Sequence, residues 1–207
     1  MVAGGSPLAD DSLMTRTILL ARHGVHAEVG HVLSGRSEIS LSDEGRMQAE
    51  QLAAWLDRTR ISSIHVSPRR RTRETADPLA RRCGLSPVIA PALDEIDFGA
   101  FTGQSFAALD DDPRWATWNA ERDTARCPDG ETMAQAVERA WRYIRALPAG
   151  DALALCVTHC DVIRGLVVRH FGLPFTAIYG FNCDPGSVTT LELSDTGTRL
   201  VALNERP

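Results

Sequence analysis

Four places in the chain carry residue types that could do chemistry together: Arg22-His23-Gly24, Arg71, Glu95 and Thr158-His159. A neutral imidazole is a nucleophile for phosphorus. Guanidinia can hold the equatorial oxygens of a transferring phosphoryl group, and a carboxyl can protonate the departing alkoxide. The residue types are therefore those of phosphoryl transfer, provided that they meet. Each also has a plainer reading. A His after a strand is commonly a polar residue at the edge of a core. Arg71 sits among Arg69, Arg70, Arg73 and Glu74, as on a solvated helix face, and Glu95, flanked by Asp94 and Asp97, could belong to an exposed acidic loop. Burial and like charges would both raise the pKa of Glu95, which is what a general acid working near neutrality requires.

Whether these groups meet depends on the elements that carry them. Residues 17–21 read as an apolar strand that Gly24 turns out of its sheet, residues 61–66 as a second strand, 88–90 as a short third and 152–157 as a central strand buried on both faces. His65 alternates with Ile64 and Val66, so it is expected to be an ordinary strand residue. Ser42 caps a helix with Asp43 and Glu44 in its first turn and Leu52, Trp55 and Leu56 as its apolar face. Ser67-Pro68 opens a second helix, which Pro78 should kink or interrupt before Gly84 ends it. Helices follow at 131–147, with Val137, Trp141, Ile144 and Leu147 on one side, and at 161–171. Strands at 187–193 and 200–203 close the chain as a hairpin. Residues 25–41 read as a long functional loop, and 102–130 as an excursion of short helices where a lid belongs. Trp115 and Trp118 there are candidates for an exposed lid or partner surface, with at least one expected in the core.

Strands alternating with helices predict an α/β fold, an open sheet with helices on both faces. In such a sheet the ligand crevice lies at the carboxyl ends of the strands. All four candidate sites follow strands. His159 also precedes a helix whose first N–H groups could face an anion.

Composition narrows the chemistry further. The 207 residues, 43% hydrophobic and 24% charged, suit one globular domain, expected over 16–207 behind a disordered leader, 1–15, that lacks the basic start and apolar block of a secretory signal. A net charge of −5 gives no global attraction to nucleic acid or to acidic membranes, and no run is long enough to span a bilayer. All 22 basic residues are Arg, so Schiff-base lysine chemistry and the phosphate-loop Lys are absent and anions must be held by Arg, His or backbone N–H groups. Five scattered cysteines point to a reducing, cytoplasmic setting rather than a disulfide framework. Cys156, His159 and Cys160 lack a second ligand pair at zinc spacing, so no metal site is expected.

In order along the chain, Arg22-His23-Gly24, Ser34-Gly35, Leu41-Ser-Asp-Glu-Gly45, Arg71-Thr-Arg-Glu-Thr75, Leu93-Asp-Glu95 with Phe98-Gly99 and Gly103, Gly130-Glu131, and Thr158-His159 with Val162-Ile163-Arg164 resemble the motif series of the histidine phosphatase superfamily. The match runs from about residue 17 to about 194. The resemblance implies a phosphoglycerate mutase-like fold, a three-layer αβα sandwich on an open, mostly parallel sheet. It also implies residue roles: His23 becomes the phosphohistidine, Arg22 and Arg71 clamp the phosphoryl oxygens, His159 stabilises the transferring group, and Glu95 is proton donor and then base for water. No cofactor is implied, and full activity in chelator is expected.

The chain departs from the family pattern at three places. Where the family often has Thr or Ser and then Asn, three and six residues after the catalytic His, this chain has His26 and Val29. A side-chain phosphate contact is lost at Val29, and His26 or Arg36 is expected to stand in as a substrate contact alongside Gly24, Ser34 and Gly35. Cys160 replaces the usual Gly after the second His. Near two Arg and a helix N-terminus its thiol pKa should fall, making activity oxidant-sensitive; the alternative is an inert core thiol.

A small phosphorylated molecule is the expected partner, with the oligomeric state open and a homodimer compatible. A mutase of the family would carry a Tyr three residues after the acid, a downstream Lys and a paired Arg to hold its substrate. Phe98, the lack of Lys and the lack of an Arg pair between Glu95 and His159 favour a phosphatase that passes the phosphoryl group to water. A non-catalytic phospho-ligand or protein binding module is the other class, and it would have no need of the acid.

Overall fold

The computed structural model describes residues 15–148 and 150–207; the segment expected as a leader lies outside the described residues except for Thr15. Its strands are β1 (Arg16–Arg22), β2 (Ser63–Val66), β3 (Val88–Ile89), β4 (Leu153–Thr158), β5 (Val188–Ser194) and β6 (Gly197–Glu205). They form one sheet in the order β3-β2-β4-β1-β5-β6. The pairs from β3 to β1 are parallel, and β5 is antiparallel to both of its neighbours, so a single strand runs against the rest.

Alternation along the strands divides the interior into two layers, because successive side chains leave a strand on opposite faces. Ile18 and Leu20 of β1, with Ala154 and Cys156 of β4, pack against α5 (Met133–Arg145) and α6 (Cys160–His170). Leu19, Ala21, Leu155 and Val157 face α1 (Asp43–Leu56) and α2 (Arg70–Cys83). Two short helices, α3 (Phe106–Asp110) and α4 (Pro113–Ala120), fill the excursion before α5. The expected three-layer sandwich is the fold.

Local signals set most helix ends. Ser42 accepts a hydrogen bond from the Gly45 N–H, Gly84 closes α2 in the left-handed conformation (φ 66°), and Thr132 with Gln135 forms a reciprocal cap on α5. Other expectations are met only in part. Pro78 lies inside α2 without interrupting it. Trp55 is 40% exposed, and Ala49 and Ala53 take its place on the buried face of α1. Trp115 and Trp118 are both buried, stacked at 5.2 Å between ring centroids and bordered by Phe98 and Phe101, so neither is a free surface. Two aromatic rings bury more apolar area against other rings than an exposed lid could recover in water. No helix among the described residues is long and apolar enough to cross a membrane.

Candidate active site

Strand register brings the two histidines together. β1 and β4 run parallel with Arg22 opposite Thr158, so His23 and His159 each follow the last paired residue, and the His23 N–H donates to the Thr158 carbonyl at 3.1 Å. Their rings stand 5.2 Å apart, edge to face, and both side chains are buried. Val66 of β2 pairs with Val157, which sets Ser67 beside the same strand end. The Thr158 hydroxyl donates to the Leu93 carbonyl at 2.6 Å and ties the segment carrying Glu95 to the tip of β4.

The tautomer of each ring follows from its partners. His23 Nδ1 lies 2.8 Å from the Gly24 carbonyl, which can only accept, so Nδ1 carries the hydrogen and Nε2 presents a lone pair. His159 Nδ1 accepts from the Arg71 guanidinium at 3.1 Å, leaving the hydrogen on Nε2, which is 2.7 Å from Ser67 Oγ. The Ser67 hydroxyl donates onward to Asp94 at 3.1 Å. Burial, then Arg71 and Arg22, holds His23 well below the usual histidine range against the opposing pull of the Gly24 carbonyl. Burial, then Arg71 and His23, does the same to His159. Both rings are therefore neutral near pH 7.

Arg71 is 1% exposed, not a surface charge. The first turn of α2 delivers it, and its Nη atoms donate to the Gly35 and Ser37 carbonyls as well as to His159. The surrounding arginines are paired: Arg69 with Glu38 and Asp94, Arg70 with Glu74, and Arg73 with Glu38. Arg22 leans on the Cys183 carbonyl at 2.6 Å. Burial, then Asp161, pushes the Glu95 carboxyl up to about 8, against the Ile96 N–H and Arg71, which pull it down. It lies 4.0 Å from His159 Nδ1.

Three buried nitrogens around His23 have no protein partner: Arg22 Nε and Arg71 Nε, which are donors, and His26 Nδ1, which is one in the tautomer that carries its hydrogen there. His26 lies 5.2 Å from the His23 ring, and burial, Arg71 and Arg22 lower it to about 4. All four residues face a cavity of about 340 Å3, as do Glu95, Ser34, Gly35 and Val29.

Not every expected contact is there. Gly24 does not line the cavity. Its N–H is given to Thr75 Oγ1, and a Cβ on it would lie 2.6 Å from the Gly45 carbonyl oxygen, so its smallness serves the packing of backbone on backbone. Arg36 does not line it either. Its guanidinium is spent on the Glu95 carbonyl, Asp97 and Glu131, a clamp that holds the Glu95 loop from outside. Cys160 lines the cavity. Its contact with Cys183 and burial push its thiol up, against Arg22, while the same contact lowers the Cys183 thiol, so the inert reading is favoured for Cys160 itself. Ser67, Asp161, Arg164 and Tyr179 were not among the expected site residues. Ser67 left a signal as the first residue beyond a strand, and Arg164 stood in the motif series. Among the described residues no group of three or more His, Cys, Asp or Glu could hold a metal ion.

A mostly parallel sheet whose strand tips gather two neutral imidazoles, two guanidinia and a protonated carboxyl defines an α/β enzyme of the phosphatase class. The chain matches the model of the histidine phosphatase superfamily (branch 1) over residues 18–206, and it belongs to that family. It is 32% identical over 159 residues to a protein named acid phosphatase from Mycobacterium tuberculosis, covering 74% of this chain and 69% of that one. It is 31% identical over 164 residues to "probable phosphoglycerate mutase GpmB" of an Enterobacter species, covering 76% and 75%. The solved structure of the alpha-ribazole phosphatase from Shigella flexneri superposes with a TM-score of 0.82 at 25% identity, covering 92% of this chain and 96% of that one.

Proposed function

We propose that the protein hydrolyses small phosphomonoesters through a phosphohistidine on His23. Nε2 of His23 attacks phosphorus as the ester P–O bond breaks, and the Glu95 carboxyl gives its proton to the departing alkoxide. Water then loses a proton to the Glu95 carboxylate and attacks phosphorus. The P–N bond breaks, its electron pair returns to Nε2, and phosphate leaves with Glu95 protonated again. Arg22, Arg71 and His26 hold the equatorial oxygens, and His159 stabilises the transferring group.

The carrying observation is the set of unpartnered buried donors on Arg22, Arg71 and His26 around a ring whose Nε2 is free. Buried donors without acceptors are costly, and a tetrahedral oxyanion would satisfy them together. The transfer needs no metal, because guanidinia supply the charge. Relatives carry both mutase and phosphatase names. Phe98 in the cavity wall and the absence of Lys favour hydrolysis. A reducing cytoplasm suits the scattered cysteines, and the oligomeric state, a homodimer included, is left to measurement.

The test is to trap the intermediate with labelled phosphoester. Wild-type protein should carry phosphohistidine, His23→Ala none, and phosphate should be released without a bisphosphorylated primer. Label that persists in His23→Ala ends the assignment. No turnover across sugar phosphates, phosphoglycerates, nucleotides and phosphopeptides would favour a binding module.

A further inference from the structure

Besides the groups that face phosphorus, the cavity has two kinds of wall. One is apolar, made by Val32, Leu33, Phe98, Phe106 and Trp115. The other carries Asp161, in the first turn of α6, and Arg164 one turn further on. Asp161 has no ion pair within 4.0 Å and no side-chain hydrogen bond to any described residue. Arg164 forms no ion pair with it: its Nη2 donates to the Phe181 carbonyl at 3.3 Å, its guanidinium lies over the Tyr179 ring at 5.3 Å, and its Nε is buried without a partner. The positive end of α6, which a substrate anion could otherwise use, is thus already answered by the chain's own carboxylate. Two unanswered groups remain at this wall: the Asp161 carboxylate at the helix start, an acceptor with no donor, and one turn further on the buried Arg164 Nε, a donor with no acceptor.

We propose that Asp161 selects the alcohol half of the substrate. Phosphomonoesters whose alcohol presents hydroxyl or ammonium groups beside an apolar body are accepted, and those whose alcohol carries a second anion, a carboxylate or another phosphate, are turned away. The inference rests on the phosphatase reading above and adds the substrate class to it. A second anion placed between Asp161 and the apolar wall would meet a like charge in a cleft that water only partly screens, while a donor there would gain a charge-assisted hydrogen bond.

Three aryl phosphates of one shape test this, with hydroxymethyl, aminomethyl or carboxylate in the para position. Wild-type kcat/KM should be about tenfold higher for the first two than for the carboxylate, mainly through KM, a ratio between that of a fully water-screened like-charge contact and that of one near a protein surface. Asp161→Asn should bring the ratio close to one. Asp161→Asn also removes a charge that raises Glu95, but that change and the leaving-group chemistry are shared by all three substrates, so the change in ratio, read through KM, reports the contact with the alcohol. In wild type the discrimination should also shrink as salt is raised, a readout that needs no variant. A carboxylate ester turned over as well as or better than the others would assign selection to Arg164 and overturn the proposal, as would a ratio unchanged in Asp161→Asn. Hydrolysis of none of the three would instead remove the phosphatase reading beneath it.

Discussion

Burial and Asp161 push Glu95 up to about 8, so at neutrality it keeps its proton, and in the proposed mechanism it becomes a base only after giving that proton to a leaving group. His23 is the complement: burial and two guanidinia keep it neutral through the range in which an ordinary histidine would be charged. The free-enzyme profile of kcat/KM should therefore lack an acid limb near pH 6.5 and fall above about pH 8, as Glu95 ionises. Glu95→Gln should lower kcat by roughly 10²–10⁴-fold, the usual worth of a general acid, and abolish the limb near 8 in the residual activity. A limb that stays in place in this variant would assign it to another group. Ser67 acts at one remove, holding the hydrogen of His159 on Nε2 so that Nδ1 faces Arg71.

At the scale of elements, the site depends on how closely α1 approaches the turn after β1. A Cβ on Gly45 would sit 2.0 Å from the Val25 carbonyl oxygen, and backbone cannot rotate away as a side chain can. Gly45→Ala should therefore destabilise by about 1–3 kcal/mol through overpacking, and should cost activity as well, because Val25 lies two residues from His23. Gly150→Ala is the control: nothing lies within 4 Å of the added methyl, and its effect should stay within about 0.5 kcal/mol. Thermal unfolding and kcat measured on both variants decide it, and equal stabilities would show that the backbone of α1 gives way to the added methyl. The same scale explains the clamp on the Glu95 loop. Arg36 and Arg139 both donate to the Glu95 carbonyl and both pair with Glu131, so the acid rides on a crosslinked loop.

For the whole molecule, burying these groups couples stability to pH. Between about 4.5 and 8 folded Glu95 keeps a proton that the unfolded chain gives up, so its contribution to stability declines as pH rises through that window. The buried histidines act the other way. Unfolded histidines bind protons below 6.5 that His23, His26 and His159 do not, so stability recovers as pH rises toward 6.5. Glu95→Gln should consequently unfold a few degrees above wild type at pH 8–9, with the difference closing below pH 5. A Tm difference that does not vary with pH would mean that the carboxyl is not titrating in the folded protein.

The order of strands and helices, the caps at Ser42 and Gly84, and the residue types of the reaction are properties of local sequence. Period-two alternation, capping chemistry and the company Arg22-His23-Gly24 keeps along the chain act over a few residues, so they can be read there. Trp55 shows the limit. Its spacing suits the apolar face of α1, yet small alanines fill that face, because what packs against a helix is not written in the helix. The site divides in the same way. Which residues could take and give a proton was legible, but the fate of Gly24, Arg36 and Cys160 was not, since a guanidinium or a thiol takes its role from the carbonyls and carboxylates that the fold sets beside it. Only the register of β1 against β4, and the burial that follows, made two distant imidazoles neighbours and raised one carboxyl to a pKa fit for an acid, because pKa and contact both depend on groups far apart in the chain and near in space.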